Sequence, residues 1–299
     1  MAPAAALVML LVEAALTAVI VLAALFGPEH VSQRAFGYYE WLGRPESPRA
    51  IRNKELAKLV ALIHEESRGT YGWPRVHAEL VFGLGETVDR KRAARLMREA
   101  GLQGVHRRRG RKNLVNAATG EDLVHRQFTV AALDRLWLTV ITEHPTAEGK
   151  VYCAAVMDAY SRRIIGWSID TSQKTELVVD AIGMAILRRR PAVNSTILHS
   201  DHGTKYTSWA FGKHLRDAGL LGSTGTIGDC YDNSMAESFW GTMQLELLDR
   251  KAWKSRKELA NAIFEWIERW YNPERRHSSL GMLSPANYET RLRPPDRGA

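Results

Sequence analysis

Apolar and polar positions alternate with three different characters along the chain. Residues 3–26 (PAAALVMLLVEAALTAVIVLAALF) are almost continuously apolar and carry one charge, Glu13. Further on, Leu56, Leu59, Val60 and Ile63 recur at helical spacing and predict a helix within KELAKLVALIHEESRG. A second helix is predicted in WPRVHAELVFGLG, with Pro74 suited to its first turn. A third falls in TVDRKRAARLMREAGL, with Thr87 or Asp89 as cap and Gly101 as stop. From Asp134 the period changes to that of strands. LWLTVIT (136–142) reads as a buried strand, followed by strands over 151–160 and 162–170 joined by a polar turn around Ser161. An amphipathic helix over 175–190 has a basic last turn, which suits its dipole. A fourth strand (195–200), a helix (207–219) and a short strand (221–226) come next, then helices over YDNSMAESFWGTMQLELL and RKELANAIFEWIERWY. Three antiparallel strands followed by alternating helices and strands predict a mixed α/β sheet, preceded by a small all-helical module.

The apolar start is long enough to span a bilayer. It has no Lys or Arg before Arg34, unlike a secretory signal, and a central acid costs about 2.5–3.5 kcal/mol on insertion. A buried or poorly folded Ala/Leu helix is the first expectation here, a membrane segment at 3–26 the second, and a translation start set too far upstream or in altered sequence the third. The domains expected are a hydrophobic segment of unknown role (1–34), a helix-turn-helix-like module (48–104), a basic linker (105–126) and a core with its tail (127–290). RPESPRA (44–50) is a Pro-punctuated linker ahead of the module.

Charge sharpens this division. The chain carries a net +8, with a pI near 9.6. Residues 48–126 hold 17 Lys and Arg against 9 Asp and Glu, and the remainder holds 24 of each. The basic excess therefore belongs to the helical module and linker and points to a polyanionic partner. The third helix carries Arg90, Lys91 and Arg95, as a DNA-reading helix would. Arg107, Arg108, Arg109, Arg111 and Lys112 follow in HRRRGRK, a density typical of an arm that gains order on phosphates. Two cysteines, Cys153 and Cys230, exclude a disulfide framework or Cys-rich zinc site and fit a reducing cytoplasm, with DNA binding placing the chain on the nucleoid.

Two carboxylates stand out in the second half. Asp201 follows the fourth strand in HSDHGTKYTS, and Glu237 opens a helix in DCYDNSMAESFW, with 35 residues between them. Such a pair is a set of hard oxygen ligands suited to Mg²⁺ or Mn²⁺. Each also has a plain structural explanation, Asp201 as a turn former before Gly203 and Glu237 as the partner of Ser234 in a capping box.

The surrounding segments favour the first explanation. GTYGWPRVHAEL, RLMREAGLQG with its Arg run, LWLTVITEHPT, MDAYSRRIIGWSI, HSDHGTKYTSWAF, GDCYDNSMAESFWGTMQLE and WYNPERRHSSLGMLSPANYE occur in order over residues 37–290. In this the chain resembles the DDE transposases of bacterial insertion sequences, the second-frame products with a retroviral-integrase-like core. The resemblance implies a ribonuclease-H-like fold and in-line phosphoryl transfer that cuts element ends and joins them to target DNA. It implies three acids on two divalent ions, with Asp201 and Glu237 as the second and third. It implies double-stranded DNA as partner, a homo-oligomer on that DNA and a first-frame transposase product. Lys205, Arg275, Arg276 and His277 match polar or basic family positions and are expected on phosphates, and Asn233 beside Glu237 is expected to shape the site. One position departs. The family pattern W-x-x-D-I-T reads Trp137-Leu138-Thr139-Val140-Ile141-Thr142, so Val140 stands where the first Asp belongs. Glu143 and Asp158 are the neighbours that would have to replace it. With residues 3–26 also foreign to the family, the sequence reads as a decayed copy, folded but inactive or impaired. The alternatives are a non-catalytic relic that occupies element ends and a membrane-tethered DNA-binding protein.

Overall fold

The strand that carries Val140 lies at the centre of the sheet. In a computed structural model, residues 43–106, 130–200, 209–224 and 234–292 are described, with isolated positions between 14 and 34. Five strands pair in the order β3-β2-β1-β4-β5. β1 (Leu136–Thr146) and β2 (Gly149–Asp158) form an antiparallel hairpin in which Trp137 faces Asp158 and Thr146 faces Gly149. β3 (Ile164–Asp170) extends the antiparallel side, with Tyr152 opposite Asp170. β4 (Ile197–Ser200) runs parallel to the other edge of β1, and β5 (Leu221–Thr224) runs parallel to β4. Three antiparallel strands continued by two parallel ones are the ribonuclease-H-like sheet.

β1 continues four residues past the predicted end at Thr142. Gly149, with φ of +113°, closes the turn early enough for Glu143–Thr146 to pair with Gly149–Tyr152. Beyond Thr139 the opposite edge of β1 has no strand partner among the described residues, which is why Pro145 is tolerated there.

The two faces of the sheet are covered differently. On one, Trp137, Ala154, Val156, Ile165 and Leu198 pack with Leu177, Val178, Ala181, Ile182 and Ala185 of α4 (Thr175–Arg189). Gly166 sets the approach of α4 to β3, since a Cβ there would lie 2.1 Å from the Ala181 carbonyl oxygen. On the other, Leu136, Leu138 and Val140 lie against Met235 and Ala236 of α6 (Ser234–Glu246). β4 and β5 are linked through α5 (Trp209–Asp217). α7 (Arg256–Glu265) continues as a wider π turn over Trp266–Tyr271, where Trp266 and Tyr271 stack with Phe239 of α6 at 5.8 and 5.0 Å. The sequence reading assigned no helix to α8 (Pro285–Leu292), a short element that starts with proline.

The chain divides into two compact units, residues 1–58 and 59–299. The first holds the start of α1 (Pro48–Glu66), where the Ser47 hydroxyl accepts the Ala50 amide at 3.2 Å. The apolar run 3–26 falls mostly outside the described residues, and among those described no helix is long and apolar enough to cross a membrane. In the second unit, α2 (Trp73–Ala78) has Pro74 in its first turn, and α3 (Arg90–Glu99) is capped by Asp89, whose side chain accepts the Arg92 amide at 2.9 Å. Gly101 ends α3 at φ +66°, as the sequence predicts.

Residues from Leu59 onward form one unit with the sheet because polar side chains of the α2 region bond the chain's end. The Tyr71 hydroxyl accepts the Arg276 amide at 2.8 Å. Glu79 takes Arg276 at 2.6 and 2.7 Å, and Arg75 lies 3.7 Å from Glu246.

Candidate active site

Strand periodicity fixes the surroundings of position 140. Leu136, Leu138 and Val140 project to the same face, and that face meets the first turn of α6. Val140 packs on an apolar cluster that includes Ala236, the residue before Glu237. Glu237 itself lies exposed in that first helical turn. β4 ends at Ser200, which pairs with Thr139, the neighbour of Val140. Val140, the β4 terminus and the start of α6 therefore meet on one face of the sheet, beside the C-terminal end of β4. Asp201, Lys205 and Asn233 lie outside the described residues. Among those described, no three His, Cys, Asp or Glu side chains gather as a metal site.

Neither neighbouring acid substitutes at position 140. Glu143 is an odd step along β1, on the opposite face, and is exposed and held by Lys150 at 2.6 Å. That bond keeps its carboxyl below the usual range. Asp158 pairs with Trp137, three residues down the strand, and is 0% exposed. Its carboxylate accepts the Asp134 amide at 2.8 Å and the Tyr160 and Ser161 amides at 3.0 and 2.8 Å, and shares the single Ser161 hydroxyl proton, at 3.0 Å, with Glu289. Burial raises its pKa despite these bonds. Asp158 organises the β2–β3 turn.

That turn joins a buried charge network the sequence reading did not find. Glu289 of α8 is 2% exposed and accepts the Ser161 hydroxyl at 2.7 Å, Arg163 at 2.7 Å, and Arg189. Burial raises the Glu289 carboxyl, but these donors outweigh it and leave the pKa below the usual range. Asn272 likewise binds the outer edge of β3, donating to the Ile164 carbonyl and accepting the Ile164 amide, both at 2.9 Å. The only sequence signal for these residues is the polar character of α8 and of the segment before it.

The basic residues separate into two groups. Lys91, Arg95 and Arg98 follow the i, i+4, i+7 stripe of α3, turned away from buried Ala93 and Met97. Arg90 and Lys91 are exposed, and Arg95 lies 3.5 Å from Glu99. Arg107, Arg108, Arg109, Arg111 and Lys112 lie outside the described residues. Arg275 and Arg276, expected on phosphates, are instead committed inside the protein. Arg275 is 4% exposed, and its Nε and Nη2 donate to Glu246 at 2.7–3.0 Å. Arg276 bonds Glu79 and the Met282 carbonyl. The sequence shows these charges and not the partners they have in the fold. His277 Nε2 accepts a hydrogen bond from Arg275 Nη1 at 3.3 Å, and its ring stacks edge-on against Tyr271 at 5.0 Å.

Comparison with known proteins agrees with this architecture. An HTH-like domain matches residues 51–110, and integrase core domains match 132–230 and 222–285. The transposase for insertion sequence element IS629 of Shigella sonnei is 38% identical over 245 residues, covering 81% of each chain. A putative transposase for IS986/IS6110 of Mycobacterium tuberculosis is 35% identical over 264 residues, 84% of this chain and 93% of that one. Transposase InsF for insertion sequence IS3A of Escherichia coli is 32% identical over 260 residues, 85% of this chain and 90% of the relative. Among solved structures, the HTLV-2 integrase catalytic core domain in complex with magnesium aligns at a TM-score of 0.40 and 14% identity, over 52% of this chain and 95% of that one. With its helix-turn-helix module, ribonuclease-H-like sheet and relatives over most of its length, the chain belongs to the insertion-sequence transposases with an integrase-type catalytic core.

Proposed function

We propose that this chain is a transposase that binds double-stranded DNA at element ends but has lost, wholly or nearly, the ability to cut and join it. Val140 carries this reading. The reaction of the family is displacement at phosphorus, in which acids and divalent cations such as Mg²⁺ or Mn²⁺ stabilise charge on the attacking and leaving oxygens. Hard cations take oxygen ligands, and a valine side chain has none. Asp201 and Glu237 are the remaining candidate metal ligands and catalytic acids. Asp158 is consumed by the β2–β3 turn and Glu143 by Lys150. The residues present thus do not fit a two-ion site.

Loss of the acid is compatible with folding, because valine suits a strand and Val140 joins an apolar cluster. What the chain retains is the means of binding: the basic stripe of α3, the Arg107–Lys112 run and the net +8. In this role it occupies element ends as a homo-oligomer, alone or mixed with intact copies and a first-frame product, on the nucleoid.

Strand-transfer assays in Mn²⁺ with element-end DNA test the reading. The chain as it stands is expected to give little or no product, and Val140→Asp is expected to restore it. Equal activity of the two proteins sinks the proposal.

A further inference from the structure

A second candidate site lies alongside α6, on the face of the sheet that carries Val140, where Met157, the cross-strand partner of Leu138, forms part of its lining. Met235, Ser238, Phe239 and Thr242 follow an i, i+3, i+4, i+7 stripe of α6 and line a polar pocket of about 150 Å³, a stripe from which Glu237 is absent. Arg75, Arg162, Arg275 and His277 line its other walls, with hydroxyls from Ser278 and Ser279. The pocket's volume well exceeds what one water needs.

Its charge is unbalanced. Three guanidinium groups converge, and the facing carboxylate is Glu246, which takes three bonds from Arg275 and lies 3.7 Å from Arg75. Asp158 adds negative charge beyond Arg162 but is buried and fully hydrogen-bonded within its turn. The guanidinium of Arg162 has no hydrogen-bond or ion-pair partner among the described residues. Its backbone sits at φ +62°, a left-handed conformation uncommon outside glycine, held by its amide bond to the Asp158 carbonyl at 2.9 Å. A half-buried arginine, without a partner and on an unfavourable backbone, is the kind of group a ligand completes. The local potential also registers on His277. Burial first, then the charges of Arg275, Arg75 and Arg162, push its pKa down to about 2. The imidazole is therefore neutral and keeps an N–H donor.

We propose that this pocket binds one phosphate group of a DNA strand, with Arg162 as its principal charged contact and Arg75, Ser238, Thr242 and His277 as its walls. Planar guanidinium forks match phosphate oxygens, and Glu237 is not among the α6 residues that line the pocket. The site would anchor DNA flanking the acids and fix α6 relative to it. This rests on the reading that the chain binds DNA.

The test is fluorescence anisotropy of the full chain with a labelled duplex across a NaCl series, comparing wild type with Arg162→Gln and Thr242→Glu. The latter places a carboxylate in the pocket, and urea midpoints confirm that both variants fold. Loss of one phosphate contact reduces the slope of log K against log salt by about 0.9 and lowers affinity about fivefold near physiological salt. Inorganic phosphate, added at constant ionic strength, should raise the thermal midpoint of wild type and not of Arg162→Gln. Wild-type binding with unchanged slopes in both variants overturns the pocket assignment and leaves the DNA-binding reading intact. An inorganic phosphate effect without a change in the DNA slope also overturns the assignment to DNA. Failure of wild type to bind any duplex overturns both.

Discussion

Glu246→Gln is the sharpest test of how the chain's end is held. Glu246 is 5% exposed and is the carboxylate between Arg275 and Arg75. Arg275 meets it through Nε at 3.0 and 2.8 Å and Nη2 at 2.7 Å, a bidentate geometry. Burial lowers the Arg275 pKa, yet the bonds and charge of Glu246 outweigh this and leave it raised. Arg75 stays lowered, by burial first and then by repulsion from Arg275, with Glu246 offsetting part of it. Glutamine keeps the shape and removes the charge, leaving buried cations facing each other. Breaking a buried pair on one side costs about 3–5 kcal/mol, and the amide's residual hydrogen bond places the expectation near 3 kcal/mol. Urea unfolding reads this as a lower midpoint at constant m-value. Arg275→Met in the same background should return part of the loss, giving a coupling of more than about 1 kcal/mol in a double-mutant cycle. A Glu246→Gln loss below about 1 kcal/mol, with no coupling, would refute the electrostatic account.

Two further outcomes follow from the same geometry. Gly166→Ala puts a Cβ 2.1 Å from the Ala181 carbonyl oxygen and 2.8 Å from the Ala185 amide, both backbone atoms of α4. The helix must move, so a loss of at least about 2 kcal/mol is expected in thermal or urea unfolding. His277 predicts an acid-sensitive fold. Its folded pKa is pushed down to about 2 by burial and neighbouring arginines, whereas an unfolded histidine titrates near 6.5. Between those values the unfolded chain binds the extra proton, so this contribution is intact above pH 6.5 and shrinks as pH falls, by about 2 kcal/mol at pH 5. His277→Gln should show a shallower loss of urea stability between pH 7 and pH 5 than wild type, and parallel curves would disprove the assignment.

The fold was legible wherever one face of an element is buried and the other exposed. Asp89, Gly101 and the apolar spacing of α1 and α3 announce the helical module, and the β-branched runs of β1–β3 announce the sheet. The end of β1 was misplaced because Glu143–Thr146 looks like a polar turn, and only pairing across Gly149 makes it a strand. α8 was missed because eight residues beginning with proline carry little periodicity; Ser161, Arg163 and Arg189 hold it through Glu289. The site divided in the same way. Val140, Glu237 and Asp201 are candidates because they stand at set positions in long ordered segments; the structure brings Val140 and the helical turn of Glu237 together, and Asp201 lies outside the described residues. The partners of Arg275 and Arg276 are not legible, since an arginine that binds phosphate and one that binds a buried glutamate look alike until Glu246 and Glu79 are found beside them. Arg162 shows the converse. Nothing in the MDAYSRR segment singles it out; only its backbone conformation and the lack of a hydrogen-bond or ion-pair partner for its guanidinium among the described residues do so.

The central claim is that one side chain, at position 140, separates this protein from a metal-binding catalyst. Calorimetric titration with Mn²⁺ tests it without depending on a DNA substrate. Val140→Asp should bind Mn²⁺ at least about tenfold more tightly than wild type, a gain of about 1.4 kcal/mol or more. Adding Glu237→Gln should abolish that gain, because Glu237 lies in the helical turn that packs on position 140. Equal Mn²⁺ affinity in wild type and Val140→Asp, or a gain indifferent to Glu237→Gln, would contradict the account.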